Sequence, residues 1–478
     1  MRTNFLLLVM ILILAFFMAS IPHLDYQYPI HTDEWWRYGD AYSLLEAGHP
    51  AYPDIFDNGA VTDTDIEIGF HLFIGELKLI TGLPWLAIFR FLPGLILALL
   101  AFLAYAFGRK KGYGLEAAFL VTLIPTTIRL LGPAFLVPVA LGITFIPLTL
   151  LILQRFMNDF RGPVMLFLML LSLLFIHPPT LAIISAIILM HAVLFMVWRG
   201  KSPGQAKQSV IVLLMFIPIY MLMYWWAADW IGLVTREALS PELHLQLPPI
   251  QGAVSEFGYI PALLFLIGTG IIIMRRSAED WALLLLVVGL LVYLQVYPLF
   301  YIGLDIIYER GWLYVFVLMA LIGGLALKNM RLFIQPIFAR QSLKTAAFTG
   351  AIFILAVIML IISVRNHFSE YYYYLVDDVT YQDFIWIRDN VPEKYQTGIL
   401  DTNVAWAFAP LTQKFAYTAE VSPNFHMKGR AAMEFLAEGA EDTNWLVERG
   451  ISIVYSAGEV QNEELSKVNH NTYLLIND

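Results

Sequence analysis

The residues best suited to chemistry lie in His31-Thr32-Asp33-Glu34-Trp35-Trp36, directly after the first apolar segment of the chain. An acceptor hydroxyl must lose its proton as it attacks an anomeric carbon, and a carboxylate within hydrogen-bond reach can take it. Asp33 is the preferred base, with Glu34 assisting or orienting. Partial burial against Trp35, Trp36 and a membrane surface would raise the pKa of such a base. The competing reading is an acidic loop whose tryptophans sit in the aromatic belt of a membrane interface.

Three basic side chains are placed to hold an anion. Arg310 stands in Tyr308-Glu309-Arg310-Gly311-Trp312, at the end of an apolar run, where an unpaired charge is costly. A guanidinium there can bind two phosphate oxygens at once and stabilise a leaving phosphate, so no general acid is required. An ion pair with Glu309 or Asp305, or snorkelling to headgroups, is the plainer alternative. Arg129, in Thr127-Ile128-Arg129-Leu130, has the same depth and a weaker claim. His177 opens the turn His177-Pro178-Pro179-Thr180, where it can meet a donor phosphate or satisfy a helix end.

Asp63, Asp65 and Glu67 alternate, with His71 close behind. Hard divalent cations favour oxygen ligands, so a metal site is conceivable. A solvated loop with acids suited to the N-terminal dipole of the next helix is preferred. No metal or other cofactor is assigned beyond that weak option.

The elements that must position these groups are membrane helices. Of 478 residues, 59% are hydrophobic and 14% charged, far below the roughly 25% charged of an average soluble protein. Apolar runs near 4–21, 86–107, 114–131, 134–153, 163–177, 180–198, 209–226, 259–274, 281–301, 311–327 and 345–364 predict about eleven spans. With Arg2 inside, the inside loops hold Arg109 to Lys111, Arg155, Arg161, Arg199, Lys201, Lys207, Arg275, Arg276, Lys328, Arg331, Arg340 and Lys344. The outside connections before the tail hold only Arg37, Lys78, Arg129, Arg236 and Arg310, and Arg90 falls within a span. This bias places the N-terminus in the cytoplasm and the C-terminal tail outside. Cleavage of the first segment as a signal peptide is the alternative, and it would leave the remaining topology unchanged. There is no cysteine, so neither a disulfide nor a thiolate–metal site exists.

The expected domains are a membrane part, 1–364, whose long first outside loop spans 23–85, and a soluble α/β domain, 365–478. Within the loop, Tyr38–Ala47 has helical spacing up to Gly48, and Gly69–Thr81 is too short to cross, which suits an interfacial helix. In the tail, Tyr381–Asn390, Arg430–Leu436 and Thr443–Arg449 are predicted helices, the first with Thr380 and Asp383 as its capping pair. Gly398–Asp401, Phe415–Thr418, Ile451–Tyr455 and Tyr473–Ile476 are predicted strands. Trp225-Trp226 and Tyr371 to Tyr374 suit interface anchors, and His191 suits packing. No internal repeat and no phosphate-binding glycine loop is found, which disfavours an ATP-driven pump.

The acidic pair early in a long first outside loop, the following "RYGDAYSLLEAGHPAY", and "AIFRFLPGLI" together resemble the GT-C superfamily of polytopic glycosyltransferases, mainly over residues 1–107. Within it the chain resembles the protein O-mannosyltransferase and aminoarabinose transferase group, which uses polyprenyl-phosphate sugars. The resemblance implies a mainly α, GT-C-like bundle and an inverting hexosyl or pentosyl transfer on the outer face, with Asp33 or Glu34 serving the acceptor. Implied partners are a polyprenyl-phosphate sugar donor, a glycan, lipid or protein acceptor, and membrane lipids, with no nucleic acid. The second outside loop, Leu131-Gly132-Pro133-Ala134, lacks an Asp-x-Asp pair and the tail lacks a WWD-type motif, which argues against an oligosaccharyltransferase. Two rivals remain: a transporter or lipid flippase, disfavoured because charges gather at span ends rather than at mid-bilayer, and a non-catalytic partner in envelope assembly.

Overall fold

The structure is a computed structural model describing residues 2–56, 59–62, 65–156, 159–198, 203–239, 253–301, 303–330, 341–400, 402–417 and 425–476. In chain order the helices begin with α1 (Arg2–Ser20), α2 (Thr32–Ala47), α3 (Ile68–Thr81), α4 (Trp85–Arg109) and α5 (Gly114–Thr122). They continue with α6 (Pro138–Gly142), α7 (Phe145–Arg155), α8 (Arg161–Ile176), α9 (Pro178–Trp198), α10 (Pro203–Trp226) and α11 (Ala228–Leu239). Then come α12 (Ala253–Phe257), α13 (Tyr259–Arg275), α14 (Ala278–Phe300), α15 (Asp305–Asn329) and α16 (Gln341–Ser369). The last stretch holds α17 (Asp378–Asn390), β1 (Thr397–Ile399), α18 (Thr402–Thr412), β2 (Phe415–Ala416), α19 (Phe425–Ala437), α20 (Thr443–Glu448), β3 (Ile453–Tyr455), β4 (Leu465–Lys467) and β5 (Thr472–Leu475). Two compact units result: a helical unit of Met1–Asp25 with Phe91–Tyr371, and a mixed unit of Tyr26–Arg90 with Tyr372–Asp478.

Among the described residues, eight helical stretches are long and apolar enough to cross a membrane, and α8 and α13 are shorter apolar helices. In the helical unit α15 is the central post: 94% of its apolar window is buried, against 17% for α10 and α16. Small residues let its neighbours approach, as expected where helices pack without a hydrophobic driving force. A Cβ at Gly324 would come within 2.7 Å of the Ala117 nitrogen of α5, and Gly268 of α13 lies against the Ile322 carbonyl.

The expected span 114–131 is helical only over its first half. Pro125 supplies no N–H to continue α5, and Leu131 takes a positive φ of 48°. Residues 123–137 run on as non-helical chain, buried except at the half-buried Ile128 and Arg129. Such backbone is tolerated in a membrane protein only where protein groups satisfy it. Here Thr126 Oγ1 accepts from the Ala134 N–H (3.1 Å) and Thr127 Oγ1 from the Leu130 N–H (3.2 Å).

The mixed unit is built on a five-stranded sheet of order β2-β1-β3-β5-β4. β1 runs parallel to β2 and β3, with Gly398 opposite Ala416 and Ile453, and β5 is antiparallel to β3 and β4. Ile399, Val454 and Leu475 from the sheet bury against Phe435 and Leu446. α17 starts earlier than its sequence suggests: Asp377, not Thr380, is the N-cap, its carboxylate accepting the Thr380 N–H at 2.7 Å. β4 and α18 carry no sequence expectation. β4 alternates poorly, and Val404 to Ala409 is an apolar run too short to distinguish strand from helix.

The same unit contains α2 and α3, which pack against each other, and α18, which packs on α2. Tyr373 and Tyr374, expected as interface anchors, are partly exposed and also touch the segment leading into α2. Tyr374 meets Tyr26 edge-on at 4.6 Å, and the Tyr373 N–H donates to the Ile30 carbonyl (3.3 Å). Tyr371 is exposed, as is Trp225.

Candidate active site

The acidic pair lies in the first turn of α2, not in a loop. The helix begins six residues before the expected Tyr38 because His31 caps it: the imidazole Nδ1 accepts the Asp33 N–H at 3.1 Å. Gly48, at φ 68°, closes the other end in the left-handed conformation. Helical geometry then separates the two acids. The Asp33 side chain is 27% exposed. Glu34 is wholly buried and accepts the Ile30 N–H at 2.8 Å, tying down the turn before the helix. Trp35 is buried at 0% exposure and stacks on Tyr38 inside the unit, not in an interfacial belt. Trp36 lies under the Arg37 guanidinium, 4.0 Å from its centroid, and near Trp406.

Behind Asp33 is a buried charged cluster that joins α2 to α3. Arg37 follows Asp33 by four residues, one helical turn, and its Nη2 meets Glu67 Oε2 at 2.5 Å. His71 Nδ1 meets Asp65 Oδ2 at 2.6 Å, and its Nε2 faces Asp40 Oδ2 at 3.7 Å. Tyr52 donates its hydroxyl to Asp65 (2.9 Å), whose other oxygen accepts the Glu67 N–H (2.8 Å). Asp65 and Glu67 are therefore buried partners of a histidine and an arginine, which corrects the expectation of a solvated loop. Asp63 lies outside the described residues.

Charge balance follows from these contacts. Burial works against the Arg37 charge, yet Glu67, Asp40 and Asp33 hold its pKa above the ordinary value. Burial raises Glu67, with Arg37 offsetting part of the rise. Burial also opposes a charged His71, and Asp65 and then Asp40 overcome it and leave the pKa raised. Asp65 is desolvated too, but the His71 charge and its hydrogen bonds bring it down to about 2. Asp40 is pushed up by burial to about 7 against the pull of His71. Among the described residues no three His, Asp or Glu side chains converge as metal ligands. With Arg37 on Glu67 and His71 on Asp65, this group does not fit a divalent cation.

The basic candidates belong to the helical unit. Arg310, in the second turn of α15, donates from Nη1 to the Arg129 carbonyl oxygen at 2.7 Å, so the two are brought together. Glu309 lies 3.9 Å from Arg310 Nη2, at the edge of ion-pair range. His177 joins α8 to α9. Its Nδ1 accepts the Thr180 N–H (3.2 Å) and lies 2.7 Å from Thr180 Oγ1, which is 2.8 Å from the Tyr314 hydroxyl. Tyr314 stands one turn beyond Arg310 on α15, so a hydrogen-bonded chain links the start of α9 to that helix. His177 is a buried cap for α9, answering an N–H rather than the helix-end carbonyl expected of a turn histidine.

His31, Arg37, Asp40 and His71 carry no assigned role in the motif reading, apart from His71 beside the acids. One signal was available for Arg37 and Asp40: they follow Asp33 at four and seven residues, the spacing of one helical face. That signal is useful only once α2 is known to begin at Thr32.

No family model and no curated protein matches the chain. Solved structures do match its fold. The oligosaccharyltransferase of Archaeoglobus fulgidus in complex with Zn and sulfate is 13% identical with a TM-score of 0.62, covering 94% of this chain and 67% of that one. The AglB oligosaccharyltransferase of the same organism, in complex with an inhibitory peptide and a dolichol-phosphate, gives 13% identity and a TM-score of 0.59, covering 94% and 69%. ArnT from Cupriavidus metallidurans, bound to undecaprenyl phosphate, gives 12% identity and 0.57, covering 99% of this chain and 98% of that one. A likeness at this identity concerns the fold, and with the apolar helices it leads to one statement: this chain is an integral membrane protein whose fold is similar to that of these oligosaccharyltransferase and ArnT structures.

Proposed function

We propose that the protein is an integral membrane glycosyltransferase that moves a hexosyl or pentosyl unit from a polyprenyl-phosphate carrier to a hydroxyl of a glycan, lipid or protein acceptor, with inversion. The observation that carries this reading is the partly exposed Asp33 carboxylate at the first turn of α2, in a chain of GT-C fold. The acceptor oxygen forms its bond to the anomeric carbon as the bond to the phosphate oxygen breaks. The acceptor proton passes to Asp33, and the electron pair leaves on polyprenyl phosphate. Arg310, with Arg129 and His177, binds that phosphate and stabilises the charge it gains, a reading supported by the Arg310 contact to the Arg129 carbonyl. Glu34 orients by fixing the turn ahead of the base. The basic bias of alternate loops supports an active site on the outer face, with the N-terminus in the cytoplasm.

A neighbour's bound zinc leaves a divalent cation open as a requirement. The cluster around Asp65 and Glu67 does not fit one, and no step is routed through it. The lack of an Asp-x-Asp pair in the second outside loop and of a WWD-type motif in the tail favours a single-sugar donor over a lipid-linked oligosaccharide.

Purified protein incubated with a panel of labelled polyprenyl-phosphate sugars and crude acceptor fractions tests the reading. Transfer of label that is lost in Asp33→Asn is expected. No transfer from any donor, together with carrier movement across proteoliposomes, would overturn it in favour of a flippase.

A further inference from the structure

In the helical unit, the last turn of α4 stands between two cavities. One, of about 420 Å³, is lined by Ala106 and Arg109 of α4, Lys110 just past it, and Leu151 and Arg155 of α7. The other, of about 380 Å³, shares Arg109, and Asn4, Glu116 and Lys328 also line it. Both fall within the size range of ligand pockets. Arg310 and Lys328 stand near opposite ends of α15, about 27 Å of helix apart, close to the thickness of a bilayer core. The two cavities therefore lie toward the opposite membrane face from Arg310, the face on which the basic loops gather.

The first cavity carries three cations and, among the described residues, no carboxylate. Helix dipoles favour cations at the C-terminal ends of α4 and α7, and the bias of the inside loops adds to their number. Neither effect makes three of them converge on one hollow without an acid. Cations close by are paired, Lys111 with Asp280 and Lys328 with Glu116 at 3.6 Å. Among the described residues the Arg109 side chain has no ion pair and no hydrogen bond, and Arg155 meets the ring of its neighbour Phe156 at 5.9 Å. Lys110 spends one of its three ammonium protons on the Gln154 carbonyl at 2.8 Å, which fixes it at the rim. Two guanidiniums beside an ammonium suit a phosphate, because each guanidinium can bind two of its oxygens at once.

The apolar side of the cavity indicates what carries that phosphate. From Ala106, one face of α4 continues through Phe102, Leu99 and Leu95, all exposed and spaced by four, three and four residues. An acyl chain lying along that face leaves its headgroup at Arg109. A zwitterionic headgroup would bring its own ammonium into a hollow that already holds three positive charges. We propose that this cavity binds an anionic glycerophospholipid from the adjoining leaflet, with Arg109 and Arg155 on its phosphodiester and Lys110 at the edge of the headgroup. The site shares no residue with the transfer reaction proposed above and does not depend on it. A lipid held there joins the end of α4 to the end of α7.

The test is competition against a fluorescent phosphatidylglycerol bound to the full chain in uncharged detergent. Each cation acting on an anionic lipid is worth about fivefold in affinity, so three set a scale on the order of a hundredfold. Phosphatidylglycerol should bind about thirtyfold or more tighter than phosphatidylcholine with the same acyl chains. Arg109→Gln with Arg155→Gln keeps Lys110 on its carbonyl and should lower that preference to about fivefold. Ala106→Trp fills the hollow with every charge in place, and it should weaken phosphatidylglycerol about tenfold. Arg275→Gln with Arg276→Gln removes the same charge from another basic loop and should leave the preference unchanged. A preference that survives both cavity variants, or that falls equally in the Arg275 and Arg276 variant, would overturn the proposal in favour of general surface charge. Displacement by glycerol phosphate as strong as by phosphatidylglycerol would overturn it in favour of a soluble anion.

Discussion

Arg37 Nη2 and Glu67 Oε2 lie 2.5 Å apart with side chains only 10% and 11% exposed, so α2 and α3 are joined by a buried ion pair. Removing one partner of such a pair leaves an uncompensated charge and costs about 3–5 kcal/mol. Glu67→Ala should therefore lower thermal stability in detergent sharply, and Glu67→Met with Arg37→Met should recover much of the loss. A double variant as unstable as the single one would contradict this account of the pair.

Asp33 and Glu34 should separate by assay. Asp33→Asn is expected to slow transfer by about 10²–10⁴, the usual contribution of a general base, with the melting temperature unchanged. Glu34→Ala removes the acceptor for the buried Ile30 N–H and should cost about 1–3 kcal/mol of stability. If Glu34→Ala leaves stability intact and abolishes transfer while Asp33→Asn is silent, the roles are reversed.

Arg310→Ala should raise the KM for the carrier about tenfold to a hundredfold, the value of a hydrogen bond to a charged group, and leave the acceptor KM in place. Arg310→Lys should recover only part of this, because an ammonium lacks the paired donors of a guanidinium. Steady-state kinetics with each substrate varied in turn decides the matter.

His177→Ala is expected to destabilise the start of α9 by about 1 kcal/mol, while His177→Asn keeps a capping oxygen for the Thr180 N–H. A capping role alone predicts normal transfer in His177→Asn. A phosphate role predicts a raised carrier KM in both variants.

The α2–α3 cluster should make the mixed unit sensitive to pH. Asp40 titrates near 7 when folded and 3.8 when unfolded, so between those values the folded state holds the extra proton and stability falls as pH rises. The raised His71 acts with the same sign: its contribution is complete below 6.5 and is lost as pH climbs through its folded pKa. Asp65, lowered to about 2, opposes this only in acid, where its contribution is lost as pH falls below 3.8. Hydrogen exchange over residues 32–81, corrected for intrinsic rates, should show protection declining from pH 5 to 8. Asp40→Asn should flatten that slope, and an identical slope in the variant would remove Asp40 as the cause.

Much of the architecture is legible in single residues and their spacing. Gly48 marks the end of α2, Pro392 marks the end of α17, and four strands of the sheet are visible as apolar segments near their true places. The misses share a cause. Histidine is not a preferred N-cap, so nothing local announces that α2 starts at Thr32. Residues 114–131 are apolar enough to span, but Pro125 breaks the helix, and Thr126 and Thr127 satisfy the chain beyond it.

Unaided, composition and loop charge determined that this chain crosses a membrane many times, and the early acidic pair marked the residues worth testing. Hydropathy and charge are sums over local sequence, and they need no fold to be read. The tertiary structure alone decided that Glu34 is buried while Asp33 is not, that Arg37 pairs with Glu67, and that Arg129 meets Arg310. Those outcomes depend on how helices distant in sequence pack together. Burial and distance, which set each charge's partner and pKa, exist only after that packing.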